Sequence, residues 1–224
     1  TTDQPWDYAE RPAKISDQEI DYLCAAASEY FEEPVARKDV QWTYSGVRPL
    51  FDDKSQSAST VTRDYVFDYD DKKAPVLSIF GGKITTYRVL ALQAMKTLKR
   101  ALHVETDDWT KTASLPGGDF PVSGFDGLVT QYGERWSFLD SKTVKRLVRA
   151  YGTDVAVMLA DVSSLADMKQ AFGAGLFEIE LDWLITHEFA RSADDVLWRR
   201  SKLGLHMTAA EKQAVSDWFA ARKI

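Results

Sequence analysis

The stretch Pro75-Val-Leu-Ser-Ile-Phe-Gly-Gly-Lys-Ile-Thr-Thr-Tyr-Arg88 decides the fold. Its first six residues are almost continuously apolar and read as a short strand buried on both faces. Two glycines end it, and the pattern then turns helical. Tyr87, Ala91, Ala94, Met95, Leu98 and Leu102 fall on one stripe of a helix running to about His103. A strand that passes through a glycine pair straight into a helix lets backbone N–H groups approach a ligand closely. Lys83 stands in the first helical turn, where a cation opposes the helix dipole. An anionic or electron-rich ligand at that spot would remove the penalty. A tight βα turn with a solvated lysine is the other reading of the same residues.

Upstream of this unit the period is two. Val61, Tyr65, Phe67 and Tyr69 alternate with Thr62, Asp64 and Asp68, and Val40, Trp42 and Tyr44 with Gln41, Thr43 and Ser45, giving two further strands. A polar loop, Asp52 to Ser59, joins them. Arg63 shares the parity of Val61, Tyr65 and Phe67, and Arg48 that of Val40, Trp42 and Tyr44, unless Gly46 resets the register with a bulge. A guanidinium on an apolar face needs a partner. That partner is either a nearby acid (Asp52, Asp53 or Asp64) or a bound oxyanion. Further upstream, Ser16-Asp-Gln-Glu19 is a capping box that launches a helix with Ile20, Leu23, Ala27 and Phe31 on one face, ended by Pro34.

Downstream, Glu105 to Phe125 is rich in Thr, Asp, Gly and Pro and marks a domain boundary. Only helices are expected beyond it. Ser141 caps one that Gly152 stops after Tyr151, Val155 to Ala160 forms another, and Phe172 to Phe189 a third. Ser192-Ala-Asp-Asp195 and Thr208-Ala-Ala-Glu211 open the last two. Gly173-Ala-Gly175 lacks a preceding strand and a third glycine, so it reads as a loosened helix joint rather than a dinucleotide fingerprint. The fold class is α+β: a mixed part with antiparallel strands and a βα unit over 1–102, then an all-α part over 103–224.

Composition narrows the function. The 224 residues carry 28 Lys+Arg against 34 Asp+Glu, and neither half is basic, which argues against a nucleic-acid partner. No apolar run approaches the roughly 20 residues that a bilayer-spanning helix needs. The single cysteine, Cys24, suits a reducing compartment and lies in an apolar helix as a small hydrophobe. His103, His187 and His206 are too scattered for a metal site, and no G-x-S-x-G occurs. Trp198-Arg199-Arg200 reads as a helix with its Trp buried and its arginines paired to nearby acids. Lys96, Lys99 and Arg100 suit the C-terminal end of a helix dipole.

Four motifs carry a family resemblance: Trp42-Thr-Tyr-Ser-Gly-Val-Arg-Pro-Leu50, Thr62-Arg-Asp-Tyr65, Phe80-Gly-Gly-Lys-Ile-Thr-Thr-Tyr-Arg88 and Ala193-Asp-Asp-Val-Leu-Trp-Arg-Arg-Ser-Lys-Leu-Gly204. In this order they resemble FAD-dependent glycerol-3-phosphate dehydrogenases of the aerobic, quinone-reducing type, over essentially the whole chain. Thr1-Thr2-Asp3 resembles a segment that lies well inside the full polypeptide of that family. The resemblance implies that 1–102 is the C-terminal part of the FAD- and substrate-binding domain and 103–224 the helical C-terminal domain. It implies oxidation of glycerol 3-phosphate to dihydroxyacetone phosphate, with hydride passing to FAD and electrons to the quinone pool. Arg48 and Arg63 would bind the substrate phosphate, and Gly81, Gly82, Lys83 and Thr85 would lie at the flavin. The full-length enzyme would sit in the cytoplasm, peripherally on the inner face of the cell membrane, and is compatible with a homodimer.

The family's Gly-rich dinucleotide fingerprint and its catalytic His are expected before Thr1, since none of the three histidines matches. The chain therefore carries half of an active site and no catalytic residue of its own, and is expected to be inactive alone. Two alternatives stand beside this reading: an α-glycerophosphate oxidase that passes electrons to oxygen, and a stand-alone helical interaction module. The helical half, roughly 115–224, is expected to be the better protected part.

Overall fold

The computed structural model describes residues 2–4, 6, 12–48, 50, 51, 64–105 and 107–222. They form two compact units, Thr1–Thr112 and Ala113–Ile224. Among the described residues no helix is long and apolar enough to cross a membrane.

In the first unit, helix α1 (Asp17–Ser28) starts as its capping box dictates. Glu19 N–H donates to the Ser16 hydroxyl at 3.3 Å, and Ser16 N–H donates to the Glu19 carboxylate at 2.9 Å. It ends well before Pro34, because the Ser28 hydroxyl donates to the Cys24 carbonyl at 2.7 Å and accepts the Val35 N–H at 2.9 Å. Phe31 consequently lies beyond the helix and is exposed. The strand expected over Val40 to Ser45 does not form. Trp42 and Tyr44 instead stack on each other, with ring centroids 5.3 Å apart, and no ladder partner appears among the described residues.

The other two expected strands appear as β1 (Tyr65–Asp70) and β2 (Val76–Gly81); Val61 and Thr62 at the expected start of the first, and the expected loop Asp52 to Ser59, lie outside the described residues. They pair antiparallel with Tyr65 opposite Gly81 and Asp70 opposite Val76. Strand β2 is not buried on both faces: Ile79 and Phe80 remain 42% and 45% exposed. A two-stranded ribbon covers one edge and little of either face, so continuous apolarity here does not mean burial. Helix α2 (Tyr87–Leu102) packs on both strands and ends at His103, in the left-handed conformation at φ +50°. Ala94 on this helix is the one buried residue of the unit among those described.

The second unit holds the core. Helices α3 (Phe125–Arg135), α4 (Ser141–Tyr151), α5 (Val155–Met158), α6 (Glu178–Glu188) and α7 (Ala209–Arg222) enclose Trp136, Leu147, Leu159, Leu176, Leu181, Val196 and Val215. This part is not all-α. Strands β3 (Ala171–Gly173) and β4 (Leu176–Phe177) make an antiparallel hairpin, and Gly173, Ala174 and Gly175 form its turn at φ +103°, +49° and +71°. Three successive positive φ values close a tight turn and no helix, so the expected helix joint at 173–175 is a hairpin and α6 begins at Glu178. The cap of α4 is Asp140, not Ser141. Its carboxylate accepts the N–H groups of Lys142 and Thr143 at 3.0 and 3.1 Å. Gly152 stops α4 as expected, at φ +54°. The capping box at Thr208 forms; at Ser192 only half of it does, because Asp195 N–H donates to the Ser192 hydroxyl at 3.2 Å while the Asp195 carboxylate accepts the Arg191 N–H at 2.9 Å, ahead of a π-helical turn, Asp195–Arg200.

Candidate functional site

The Gly-Gly-Lys turn is a continuous piece of the first unit. Gly81 and Gly82 adopt φ +74° and +92°, which side-chain-bearing residues avoid. Space for a side chain is tight as well. A Cβ on Gly81 would stand 3.0 Å from the Phe51 backbone N and 3.1 Å from the Asp64 carbonyl O, and one on Gly82 3.1 Å from Tyr65 Cβ. The chain then enters a 3-10 turn, Ile84–Thr86, with Lys83 as an extended first residue at φ −91°, ψ 144°. Thr86 N–H is the first to find a carbonyl inside the turn, that of Lys83 at 3.1 Å, and the Thr86 hydroxyl donates to the same oxygen at 2.8 Å.

No side chain caps either this turn or α2, and no acid stands in the first turn of either. The N–H groups at the start of such an element have no partner within it. Lys83, Ile84 and Thr85 are exposed, Ile84 to 88%. An ammonium, a hydroxyl and unfilled N–H groups therefore share one exposed turn. Chemically this is a set of donors for an anionic or electron-rich group.

The two arginines stand differently from expectation. Arg48 is not on the apolar face of a strand, since that strand is absent. It is exposed, and its Nη1 lies 2.7 Å from Asp3 Oδ1; the expected partners Asp52 and Asp53 lie outside the described residues. Arg63 lies outside the described residues. Two described residues that follow them in sequence border the glycine turn. Phe51, three residues after Arg48, and Asp64, one residue after Arg63, are the two groups whose backbones border Gly81. The Phe51 and Phe80 rings approach to 6.4 Å between centroids. The Asp3 contact spans 45 residues of sequence and left no local signal that reading the chain could have used.

The second unit offers a different kind of polar group. The carboxylate of Glu180, 2% exposed, receives both terminal nitrogens of Arg146 at 2.8 and 2.7 Å and the Tyr151 hydroxyl at 2.7 Å. Arg146 also donates to the Gly175 carbonyl at 2.6 Å, tying α4, α6 and the hairpin turn together. Burial first, and then the Glu180 carboxylate, push the Tyr151 hydroxyl far above its usual range. This is structural wiring, complete on the carboxylate, although Arg146 Nε is buried without a hydrogen-bond partner among the described residues. Arg199 pairs with Asp195 at 3.0 Å as expected, whereas Arg200 donates to the Glu188 backbone carbonyl at 2.7 Å rather than to an acid. Among the described residues no group of His, Cys, Asp and Glu could hold a metal ion.

The second unit defines the class. Residues 109–221 match the family described as the C-terminal domain of alpha-glycerophosphate oxidase, and the chain belongs to that family. Over 220 residues it is 39% identical to the aerobic glycerol-3-phosphate dehydrogenase of Escherichia coli, covering 97% of this chain and 44% of the relative, its C-terminal portion. It is also 39% identical over 220 residues to the D-erythritol 1-phosphate dehydrogenase of Brucella abortus, covering 98% of this chain and 44% of the relative. The crystal structure of glycerol-3-phosphate dehydrogenase from Bacillus halodurans, complexed with FAD, shares the fold with a TM-score of 0.73 at 22% identity. That match covers 99% of this chain and 44% of the other. The chain thus spans less than half the length of the relatives it matches.

Proposed function

We propose that this chain is the C-terminal part of an FAD-dependent enzyme that oxidises glycerol 3-phosphate to dihydroxyacetone phosphate. The observation that carries the reading is the border of Gly81, where the backbones that follow Arg48 and Arg63 meet the turn that bears Lys83 and Thr85. Phosphate-binding arginines and flavin-facing donors would then lie on one small framework.

The residues of the turn fit the cofactor. A flavin presents an electron-rich pyrimidine edge, and the exposed Lys83 ammonium, the Thr85 hydroxyl and the unfilled N–H groups beside them are donors of the kind that edge accepts. The glycine pair keeps side chains out of the approach. When bound, FAD supplies the acceptor for the substrate hydride. Lys83 and the neighbouring N–H groups would stabilise negative charge on that edge, fixed in place before it develops. Arg48 and Arg63 would grip the substrate phosphate, each by charge-assisted hydrogen bonds to the dianion. No group of this chain is assigned the proton transfer.

Quinone is the proposed acceptor, with the full-length enzyme peripheral on the inner face of the cell membrane, a reading in keeping with likeness to the aerobic Escherichia coli dehydrogenase; an oxidase is the alternative, in keeping with the name of the matching family. Oxygen uptake against quinone reduction by the full-length protein separates the two. Equal identity to an erythritol-phosphate dehydrogenase favours a second substrate reading, a longer polyol phosphate. The ratio of kcat/KM for the two substrates decides between them. The main test is Arg48→Ala and Arg63→Ala in the full-length flavoenzyme. Each is expected to raise KM for glycerol 3-phosphate about tenfold or more, the value of one charge-assisted hydrogen bond. Unchanged kinetics in both would remove the phosphate assignment.

A further inference from the structure

We propose that Asp3 is a positioning residue for Arg48: it holds the guanidinium in the orientation that receives the substrate phosphate. The inference rests on the phosphate-binding reading of Arg48. The contact is Nη1 to Oδ1 at 2.7 Å, between side chains 58% and 42% exposed. An ion pair this exposed adds little to folding stability. Its effect is on geometry.

The residue before Asp3 is anchored to α1. The Thr2 hydroxyl donates to Glu19 Oε1, and the other oxygen of that carboxylate closes the capping box of α1 through Ser16 N–H and Oγ. The segment that presents Asp3 is thus pinned to the start of a helix, and Asp3 reaches from that anchor across to residue 48. Comparison with Arg37 sharpens the point. Arg37 places Nε and Nη2 on Asp21, Nη1 at 3.4 Å from Asp17 Oδ1 and Nη2 on the Asp17 carbonyl, so its fork is filled by protein. For Arg48 the contact among described residues uses a single terminal nitrogen. A guanidinium has five N–H donors, so one fixed contact orients the group and leaves a forked edge to offer a dianion. The rotamer freedom that an arginine loses on binding is then lost before the substrate arrives.

Charge and orientation predict opposite signs. Removing a carboxylate near a bound dianion relieves repulsion and, by that effect alone, lowers KM. A positioning carboxylate raises KM when removed. The experiment uses the full-length flavoenzyme, with Asp3→Ala, Asp3→Asn, Asp3→Glu, Arg48→Ala and the double variant Asp3→Ala/Arg48→Ala. KM for glycerol 3-phosphate, the competitive inhibition constant of inorganic phosphate, kcat and bound-flavin absorbance are measured for each.

Asp3→Ala is expected to raise KM and the phosphate inhibition constant together, by roughly fivefold, with kcat and flavin content unchanged. Asp3→Asn, which keeps the shape and should fold in any case, is expected to show a smaller rise, and Asp3→Glu to recover most of the loss. In the Arg48→Ala background, Asp3→Ala is expected to add nothing, as coupled residues do. If Arg48→Ala weakens phosphate binding while Asp3→Ala and Asp3→Asn leave it unchanged or tighten it, the positioning role is overturned and the phosphate reading survives. Additive effects in the double variant overturn it too. If Arg48→Ala changes neither constant, the phosphate reading itself has failed and takes this inference with it.

Discussion

At the scale of single residues, the most consequential group of the second unit is Glu180, a buried carboxylate closed by a forked arginine and a tyrosine. Removing one partner of a buried pair leaves an uncompensated charge. Arg146→Ala is therefore expected to lower the unfolding free energy of the chain by about 3 kcal/mol, the lower end of the usual range because Arg146 retains some solvent contact. Arg146→Ala/Glu180→Gln should regain part of it, as urea titration at neutral pH would show. Glu188 behaves in the opposite sense. Burial above all holds its pKa up, against the pull of Arg200. A carboxyl raised in the folded state is less readily ionised there than in the unfolded chain, so its charge costs stability at neutral pH and nothing once both states are protonated. Glu188→Gln should stabilise the chain by a few tenths of a kcal/mol at pH 7, after allowing for solvent screening, and not at all near pH 3. Urea midpoints at the two pH values check this, and an equal shift at both would contradict it.

At the scale of elements, α4 is fixed at both ends by features of unequal legibility. At its start Asp140 is lowered, by its hydrogen bonds with the Thr143 side chain and backbone, despite some burial. A depressed carboxyl stabilises above its unfolded value and loses that contribution as pH falls through its folded value, so this cap weakens in acid. At its end, a Cβ on Gly152 would stand 1.8 Å from the Gly117 carbonyl O, and one on Gly117 2.1 Å from the Tyr151 carbonyl O. Both obstacles are backbone, so neither can rotate away. Gly152→Ala is expected to cost about 3 kcal/mol or more, against about 1 kcal/mol for Asp140→Ala, measured by urea unfolding of the chain. Reading the chain located Gly152 as a stop, since helix ends are local. It could not locate Gly117, whose role depends on a partner 35 residues away. The same division holds elsewhere. Capping boxes at Ser16 and Thr208 were legible because donor and acceptor lie three residues apart. The Gly173–Gly175 hairpin was not, since its two strands are too short for a period to show. Helix α3 did carry a stripe, Phe125, Leu128, Val129 and Tyr132, but Gly127 and Gly133 within it weaken helix propensity. Val40 to Ser45 alternates without becoming a strand among the described residues, because alternation specifies a face and a ladder needs a neighbour. In the candidate site the glycine turn was legible for the same local reason, and the Asp3–Arg48 contact was not.

At the scale of the molecule, the two units differ in what holds them. The buried cluster belongs to residues 128–219, whereas Ala94 alone is buried among the described residues of the first unit. Hydrophobic burial is the main favourable term in folding, so local opening should cost far less in the first unit. The exposed apolar side chains point the same way: Val76, Ile79 and Phe80 on β2, then Ile84 and Tyr87 at the turn, form a run beside the donors proposed for the flavin. Surface of this kind is tolerated when something covers it in the working protein, and a sheet with open edges gains most from a neighbour. Amide exchange of the 224-residue chain should therefore show fast exchange across β1 and β2 and slow exchange in α3, α4, α6 and α7. In the full-length flavoenzyme the protection of Tyr65 to Gly81 should rise by at least about a hundredfold, since a segment without a core of its own then borrows one. Protection of β1 and β2 in the chain alone equal to that of α4 would mean that the ribbon is held by contacts within this chain, and the argument from missing burial would fail.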